Sequence, residues 1–258
     1  MSQEWVYENY NDLLSFGYKV SDRLFSGQSE FQKVEIYQTL GFGKILLNDD
    51  LVMLTEKDEF VYHDMITHVP LFTHPNPKSV LVIGGGDGGT AREVLRHKNV
   101  EYCKMVEIDK MVVDACREFI PQTSVALDDS RLDLEIADGI KYVRETDKKY
   151  DVVLVDSTDP IGPAAPLFDD EFYKNIYKIL NDDGIVVSQG ESAFLFSDMQ
   201  KKLMEIVNRQ FPISMIYNFS NIAYPSGLWS FTFGSKKYHP LKNFNPQRVE
   251  DSSMEFQY

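Results

Sequence analysis

The residues best placed to do chemistry in this sequence are acids that follow short apolar runs. Val80-Leu81-Val82-Ile83 leads directly into Gly84-Gly85-Gly86-Asp87-Gly88-Gly89. Glycines at 84, 86 and 89 let a backbone come close to a ligand, and the helix expected after them presents free N–H groups. Alone the run is a weak signal, because a tight strand-to-helix turn asks for the same residues. Three further acidic positions repeat the pattern. Glu107 ends the next apolar run, about 20 residues past the loop, where a carboxylate accepts hydrogen bonds from ribose hydroxyls. Asp109 lies just beyond it, Asp138-Gly139 ends a third run, and Asp156-Ser157-Thr158-Asp159-Pro160 ends a fourth. A single acid after a strand is usually a solvated loop residue. Acids at four successive strand ends read instead as one nucleoside site with a negative rim.

That sign narrows the ligand. Asp87 would meet the pyrophosphate of a dinucleotide or the carboxylate of S-adenosylmethionine. Two like charges about 4 Å apart, at an effective dielectric near 20, repel by about 4 kcal/mol. A nucleoside that lacks the carboxylate and keeps an amine is attracted instead. Decarboxylated S-adenosylmethionine has that form: adenosine, a sulfonium, and an aminopropyl arm ending in an ammonium.

Bringing four strand ends to one edge requires strands that run the same way. After Val80–Ile83, "CKMVEID", "LDLEIAD", "YDVVLVD" and "GIVVSQ" are further apolar strands. Between them lie amphipathic helices: one from Thr90, one with Val112, Ala115, Cys116 and Phe119 on a single face, and one with Tyr173, Ile176, Tyr177 and Leu180 on its face behind an Asp169 cap. Ser197 and Gln200 read as a capping box for a helix through Val207. Apolar strands alternating with amphipathic helices predict an α/β fold with a parallel, doubly wound sheet covered on both faces. Ahead of it, "QKVEIYQTL", "GKILLND" and "LVMLT" read as short antiparallel strands, the last two separated by Asn48-Asp49-Asp50. A helix then carries Tyr62, Met65, Ile66 and Val69 on one face. Residues 1–74 are expected to form this small β module ending in a helix, and residues 75–258 the nucleoside-binding part, divided at the proline-containing "THPNPKS".

Composition excludes some partners. Forty acids against 26 Lys and Arg give a net charge of −14, the wrong sign for nucleic acid. No apolar run reaches the roughly 18 residues of a membrane span. The start, "MSQEWVYENYNDLL", lacks the order of a signal peptide. Cys103 and Cys116, in or beside apolar segments and without metal spacing, read as buried thiols in a reducing cytoplasm. His68 and His97, without identifiable partners, read as structural or exposed. Met53, Leu47, Phe42 and Trp229 are either the wall of an apolar slot or ordinary core.

The stretches "DEFVYHDMITHVPLFTHPNPKSVLVIGGGDGGTAREVLRH", "VEID", "DGIKYV", "DSTDPIGPAAPLF", "SQGES" and "YPSGLWSFTFGSK", in order from about Gln32 to Lys236, resemble the polyamine aminopropyltransferases. The resemblance implies a small N-terminal β domain joined to a methyltransferase-type, Rossmann-like domain. It implies that Asp156 is the proton acceptor, that Asp159 holds the attacking diamine with Ser157 and Thr158 beside it, and that Asp87 binds the aminopropyl ammonium. Glu107 would take the ribose hydroxyls, Asp138 and Gly139 the adenine, and Pro163 would pack near it. Gln32 would close over the nucleoside, Tyr62 and His63 would line the amine channel, and Gln189 and Tyr224 would contact the amine. The implied reaction joins the aminopropyl group of decarboxylated S-adenosylmethionine, a co-substrate, to putrescine, with no metal or redox cofactor, in a homodimer or homotetramer assembled through the N-terminal strands.

The chemistry fits these roles. A diamine with nitrogens of pKa near 10.4 arrives protonated, and a carboxylate must take a proton before the nitrogen can attack. Methylthioadenosine leaves as a neutral thioether and needs no acid. Two departures stand out: His63-Asp64 replaces the family's usual His-Glu, and the sequence ends at "SSMEFQY", where members usually continue with Tyr-Tyr-Asn and a later His…Ala-Phe…Leu-Pro motif. Two other readings stay open. One is an S-adenosylmethionine-dependent methyltransferase, against which Asp87 stands. The other is a polyamine-binding protein without turnover, against which the intact Asp-Ser-Thr-Asp-Pro set stands.

Overall fold

The computed structural model describes residues 4–10, 14–158 and 162–258, the side chains of 162 and 163 excepted. Five antiparallel strands open the chain and lie in sequence order: β1 (Glu4–Tyr10), β2 (Leu14–Gln28), β3 (Lys33–Thr39), β4 (Lys44–Asn48) and β5 (Leu51–Thr55). The last three match the short strands read from the sequence. Asp49 and Asp50 adopt φ of 48° and 65°, the positive pair that a tight two-residue hairpin needs and that aspartate tolerates. The first two strands carried no clear signal. β1 buries no apolar face, and among its residues only Glu8 is fully buried.

Helix α1 (Glu59–Thr73) follows, then a seven-stranded sheet with its helices. In chain order these are β6 (Ser79–Gly84), α2 (Gly89–Arg96), β7 (Tyr102–Glu107), α3 (Lys110–Phe119), the single turn α4 (Pro121–Ser124), β8 (Leu132–Ile136), α5 (Gly139–Glu145), β9 (Tyr150–Asp156), α6 (Asp170–Ile179), β10 (Leu180–Gln189), α7 (Ser197–Gln210), β11 (Ile213–Phe219), β12 (Trp229–Ser235) and α8 (Pro246–Ser252). The sheet order is β11-β12-β10-β9-β6-β7-β8. The run from β10 to β8 is parallel, as expected. β12 pairs antiparallel with both β10 and β11, a mixed edge that the apolar pattern did not announce.

Alternation along the central strands fills both faces. Val80, Val82, Val152 and Leu154 pack with α1 and α2, while Leu81, Ile83, Val153 and Val155 pack with α5, α6 and α7. Such continuous apolar strands are stable only when helices cover both sides. A third cluster unites Val34, Ile36, Leu46 and Leu54 of the N-terminal sheet with Val112, Ala115, Cys116 and Ile120 in and after α3. Cys103 and Cys116 are both free and buried.

Local details correct several expectations. Asp169 stands at the N-cap of α6 but its side chain makes no capping bond; Tyr177 is exposed and Leu180 already begins β10. Phe196, not Ser197, is the N-cap of α7, and Gln200 donates to Ser230 Oγ at 2.9 Å instead of closing a capping box. Helix α1 is not simply amphipathic, because Glu59, His63, Asp64 and His68 are buried along with Tyr62 and Ile66, whereas Met65 and Val69 are half-buried. His68 and His97 do have partners. His68 bonds His97 at 2.9 Å and Glu93 at 3.1 Å, forming a buried polar link between α1 and α2.

Candidate active site

The carboxyl ends of β6, β7 and β9, the start of α5 and the inner face of the N-terminal sheet enclose one cleft. Among the expected residues, Gln32, Tyr62, His63, Asp87, Glu107, Asp138, Gly139, Asp156, Ser157, Thr158, Gln189 and Tyr224 all line it. Asp159 lies outside the described residues, as does the side chain of Pro163. Met53 and Trp229 line the cleft too, but Leu47 is core and Phe42 packs edge-on against Tyr18.

Tight backbone geometry sets the charges. Gly84 has φ of +81°, and a Cβ there would lie 2.1 Å from the Asp156 carbonyl oxygen, so no other residue lets β6 and β9 end side by side. Asp156 closes β9. Its Oδ1 accepts from Tyr62 Oη at 2.7 Å and its Oδ2 from Thr90 Oγ1 at 2.6 Å. Burial pushes this carboxyl up, the charge of Asp87 adds to the effect, and His63, Thr90 and Tyr62 oppose it without cancelling it. Asp87 is aimed by its own loop, accepting from the Gly89 N–H at 2.8 Å, with His63 Nε2 3.3 Å from the same oxygen.

On the other side, Glu107 accepts from the Asp109 N–H at 2.8 Å. Burial pushes it up to about 7; the Asp109 N–H opposes this, while the charges of Asp109, Asp156 and Asp87 reinforce it. Asp109 in turn accepts from Ser29 Oγ at 2.7 Å and from Gln32 Nε2 at 3.1 Å, tying the N-terminal loop to the end of β7. Asp138 caps α5 through the N–H groups of Ile140 and Lys141, at 2.8 and 3.2 Å. Gln189 is fixed at the opposite wall. Its oxygen accepts from Trp229 Nε1 and from the Glu191 N–H, and its amide donates to Glu191 Oε1, each at 3.0 Å. Tyr224 donates to the Met53 carbonyl at 2.9 Å and crosses the Tyr62 ring edge-on. Ser157 Oγ is buried and has no hydrogen-bond partner among the described residues, so a polar ligand atom could pair with it.

Sequence reasoning missed Thr90 and Glu59. Thr90 stands directly after the glycine loop, and Glu59 precedes His63 by one helical turn, a spacing that could have exposed their partnership. It also missed Glu8 and Tyr10, which line the cleft from a strand with a weak signal, and Asn48, which reads in the sequence only as part of a turn. His63, Asp87 and Asp156 bring one ligand atom each within 4.8 Å of one another, a spacing that would also suit a cation. Against its burial, Asp87 and Glu59 raise the pKa of His63, which favours the imidazolium and a donor role for both ring nitrogens.

The sheet and cleft together define a Rossmann-like enzyme with an acidic pocket at the carboxyl ends of its parallel strands. The chain belongs to the spermine/spermidine synthase family. Residues 59–246 match the spermine/spermidine synthase domain and residues 4–56 the spermidine synthase tetramerisation domain. It is 50% identical over 239 residues to the polyamine aminopropyltransferase of Methanocaldococcus jannaschii, covering 92% of this chain and 82% of that one. It is 47% identical over 256 residues to the polyamine aminopropyltransferase of Clostridium perfringens, covering 98% and 90%. The structure superposes on a spermidine synthase in complex with the transition-state analogue AdoDATO with a TM-score of 0.97 at 41% identity, covering all of this chain and 89% of that one. Spermidine synthase from Thermotoga maritima gives 0.96 at 41% identity, covering 100% and 88%. The chain is thus an enzyme of the aminopropyl-transferring class, and the expected fold is the observed one.

Proposed function

We propose that the enzyme transfers the aminopropyl group of decarboxylated S-adenosylmethionine to putrescine, giving spermidine and 5′-methylthioadenosine. The observation that carries this reading is the placement of Asp87, an anchored carboxylate inside the glycine loop, beside Asp156. That pair attracts an aminopropyl ammonium and a diamine and disfavours a ligand bearing a carboxylate. Glu107 and Asp138 suit the ribose and adenine, and Gln32 the cover over them. Asp156 would take the proton from the attacking nitrogen, which displaces the sulfonium at the adjacent methylene carbon. Its two donors leave each oxygen further lone pairs for that proton.

Two cationic substrates must be brought together before reaction, and several buried acids supply the positioning. The work would take place in the cytoplasm, in a homotetramer or homodimer built through the N-terminal sheet. No helix among the described residues is long and apolar enough to cross a membrane. The test is mass spectrometry of products from decarboxylated S-adenosylmethionine with putrescine, cadaverine and spermidine in competition. Spermidine with an equal amount of methylthioadenosine is expected. Preference for another acceptor would overturn the choice of putrescine, and use of S-adenosylmethionine as a methyl donor would overturn the reaction.

A further inference from the structure

Glu59 lies behind the cleft wall and lines no part of it, yet its carboxylate is among the most heavily bonded in the molecule. Glu59 Oε2 meets His63 Nδ1 at 2.5 Å. Arg92 grips both oxygens, with NH1 to Oε1 and NH2 to Oε2 each at 2.9 Å, and Gln122 Nε2 donates to Oε1 at 3.2 Å. Both Glu59 and His63 are buried, at 5% and 2% exposure. On its far side His63 presents Nε2 to Asp87 Oδ1 at 3.3 Å. The ring fits only because residue 89 is glycine: a Cβ there would lie 2.2 Å from His63 Cε1. An ordered line therefore runs from Arg92 through Glu59 and His63 to Asp87, and it alternates in sign.

We propose that Glu59 is a positioning residue for aminopropyl transfer: acting through His63, and itself clamped by Arg92, it points an imidazolium at Asp87 and Asp156. Three carboxylates, Asp87, Asp156 and Glu107, otherwise face one another across a buried cleft. One fixed cation behind them opposes the rise that burial and the charge of Asp87 impose on Asp156. The groups facing His63 are Glu59 from its own helix, Asp87 from the glycine loop and Asp156 from β9, while Arg92 and Gln122 face Glu59. The directions agree. The bonds and charges of His63 and Arg92 hold Glu59 down at about 2 against its burial, and His63 in turn restrains the rise of Asp156.

The inference rests on the aminopropyl-transfer reading of the cleft, and the experiment separates the two. Glu59→Gln, His63→Gln and the double variant are compared with the unaltered enzyme for kcat/KM across pH, with circular dichroism to check folding. Glu59→Gln is expected to lower kcat/KM by about 10- to 100-fold, as loss of a carboxylate behind a working histidine does. Its acid limb should move to higher pH, because Asp156 loses a neighbouring cation. The double variant should be no worse than His63→Gln alone. Losses that multiply, or a Glu59→Gln enzyme within about twofold of the unaltered one, would overturn the proposal.

Nitrogen-15 NMR of histidine-labelled, unaltered protein gives a second readout that no folding failure can obscure. His63 is expected to remain an imidazolium well above pH 6.5; titration near pH 6.5 would overturn the proposal. If the unaltered enzyme makes no methylthioadenosine, the aminopropyl-transfer reading fails, while the same NMR measurement on Glu59→Gln, in which His63 should titrate at lower pH than in the unaltered protein, still decides whether Glu59 holds His63 charged.

Discussion

Asp156 and Glu107 are both buried carboxyls pushed upward, yet pH acts on them with opposite consequences. In the proposed reaction Asp156 acts as the base, so turnover should fall as pH drops through its raised pKa. Asp156→Asn should lower kcat by about 10²- to 10⁴-fold while the affinity for methylthioadenosine changes little, as measured by steady-state kinetics and calorimetry. Near-full activity in that variant would remove Asp156 from the role of proton acceptor. Thr90→Val deletes a donor to the charged form of Asp156, so its acid limb should shift to higher pH, and Thr90→Ser should restore it. Glu107 affects stability. With its folded value at about 7 and an ordinary glutamate near 4.3, the folded protein holds a proton that the unfolded chain releases between those values. This contribution to stability is complete below the unfolded value and is lost as pH rises through about 7, on the order of a few kcal/mol. Glu107→Gln should therefore melt higher than the unaltered protein at pH 8 and nearly equally at pH 5. Its KM for the nucleoside donor should rise about tenfold or more, because ribose loses a charged acceptor. A lower melting temperature at pH 8 would contradict the assignment.

At the level of elements, α1 and α2 cross so closely that a glycine of one seats a histidine of the other. Gly89→Ala should displace His63 and lower kcat/KM, with a smaller effect on the melting temperature than on turnover, and a crystal structure of the variant would show the ring moved. Undisturbed turnover would mean that the ring position is unimportant. The strand ends that carry Asp87, Glu107, Asp138 and Asp156 were legible because a parallel sheet writes its strands as continuous apolar runs. The polar interior of α1 was not legible. Glu59, Asp64 and His68 look like a solvated face until α2 supplies Arg92 and Glu93, and such pairing across elements leaves no periodic trace. The capping of α7 failed for a tertiary reason: Gln200 donates to Ser230, far away in the chain. β1 escaped notice because its aromatic residues Trp5 and Tyr7 are exposed on one face in this single chain.

Over the whole molecule, those same exposed aromatics lie within the part of the chain that matches the tetramerisation domain. Replacing Trp5 and Tyr7 together by lysine should convert the assembly to smaller species in light scattering after gel filtration; an unchanged mass would place the contact elsewhere. The net charge of −14 and an acidic cleft should also draw in cationic substrates from a distance, so kcat/KM should fall as salt is raised from low ionic strength. The order of strands in the larger sheet bears on how the chain is made. β12 lies between β10 and β11 although it follows both in sequence, and β11 pairs only with it among the described strands. While the chain leaves the ribosome, one edge of β10 must wait unpaired until residues 229–235 emerge. Gln189 gains its Trp229 contact only then, so this wall of the cleft is completed last, and a nascent chain halted before that point would expose a bare strand edge prone to aggregation.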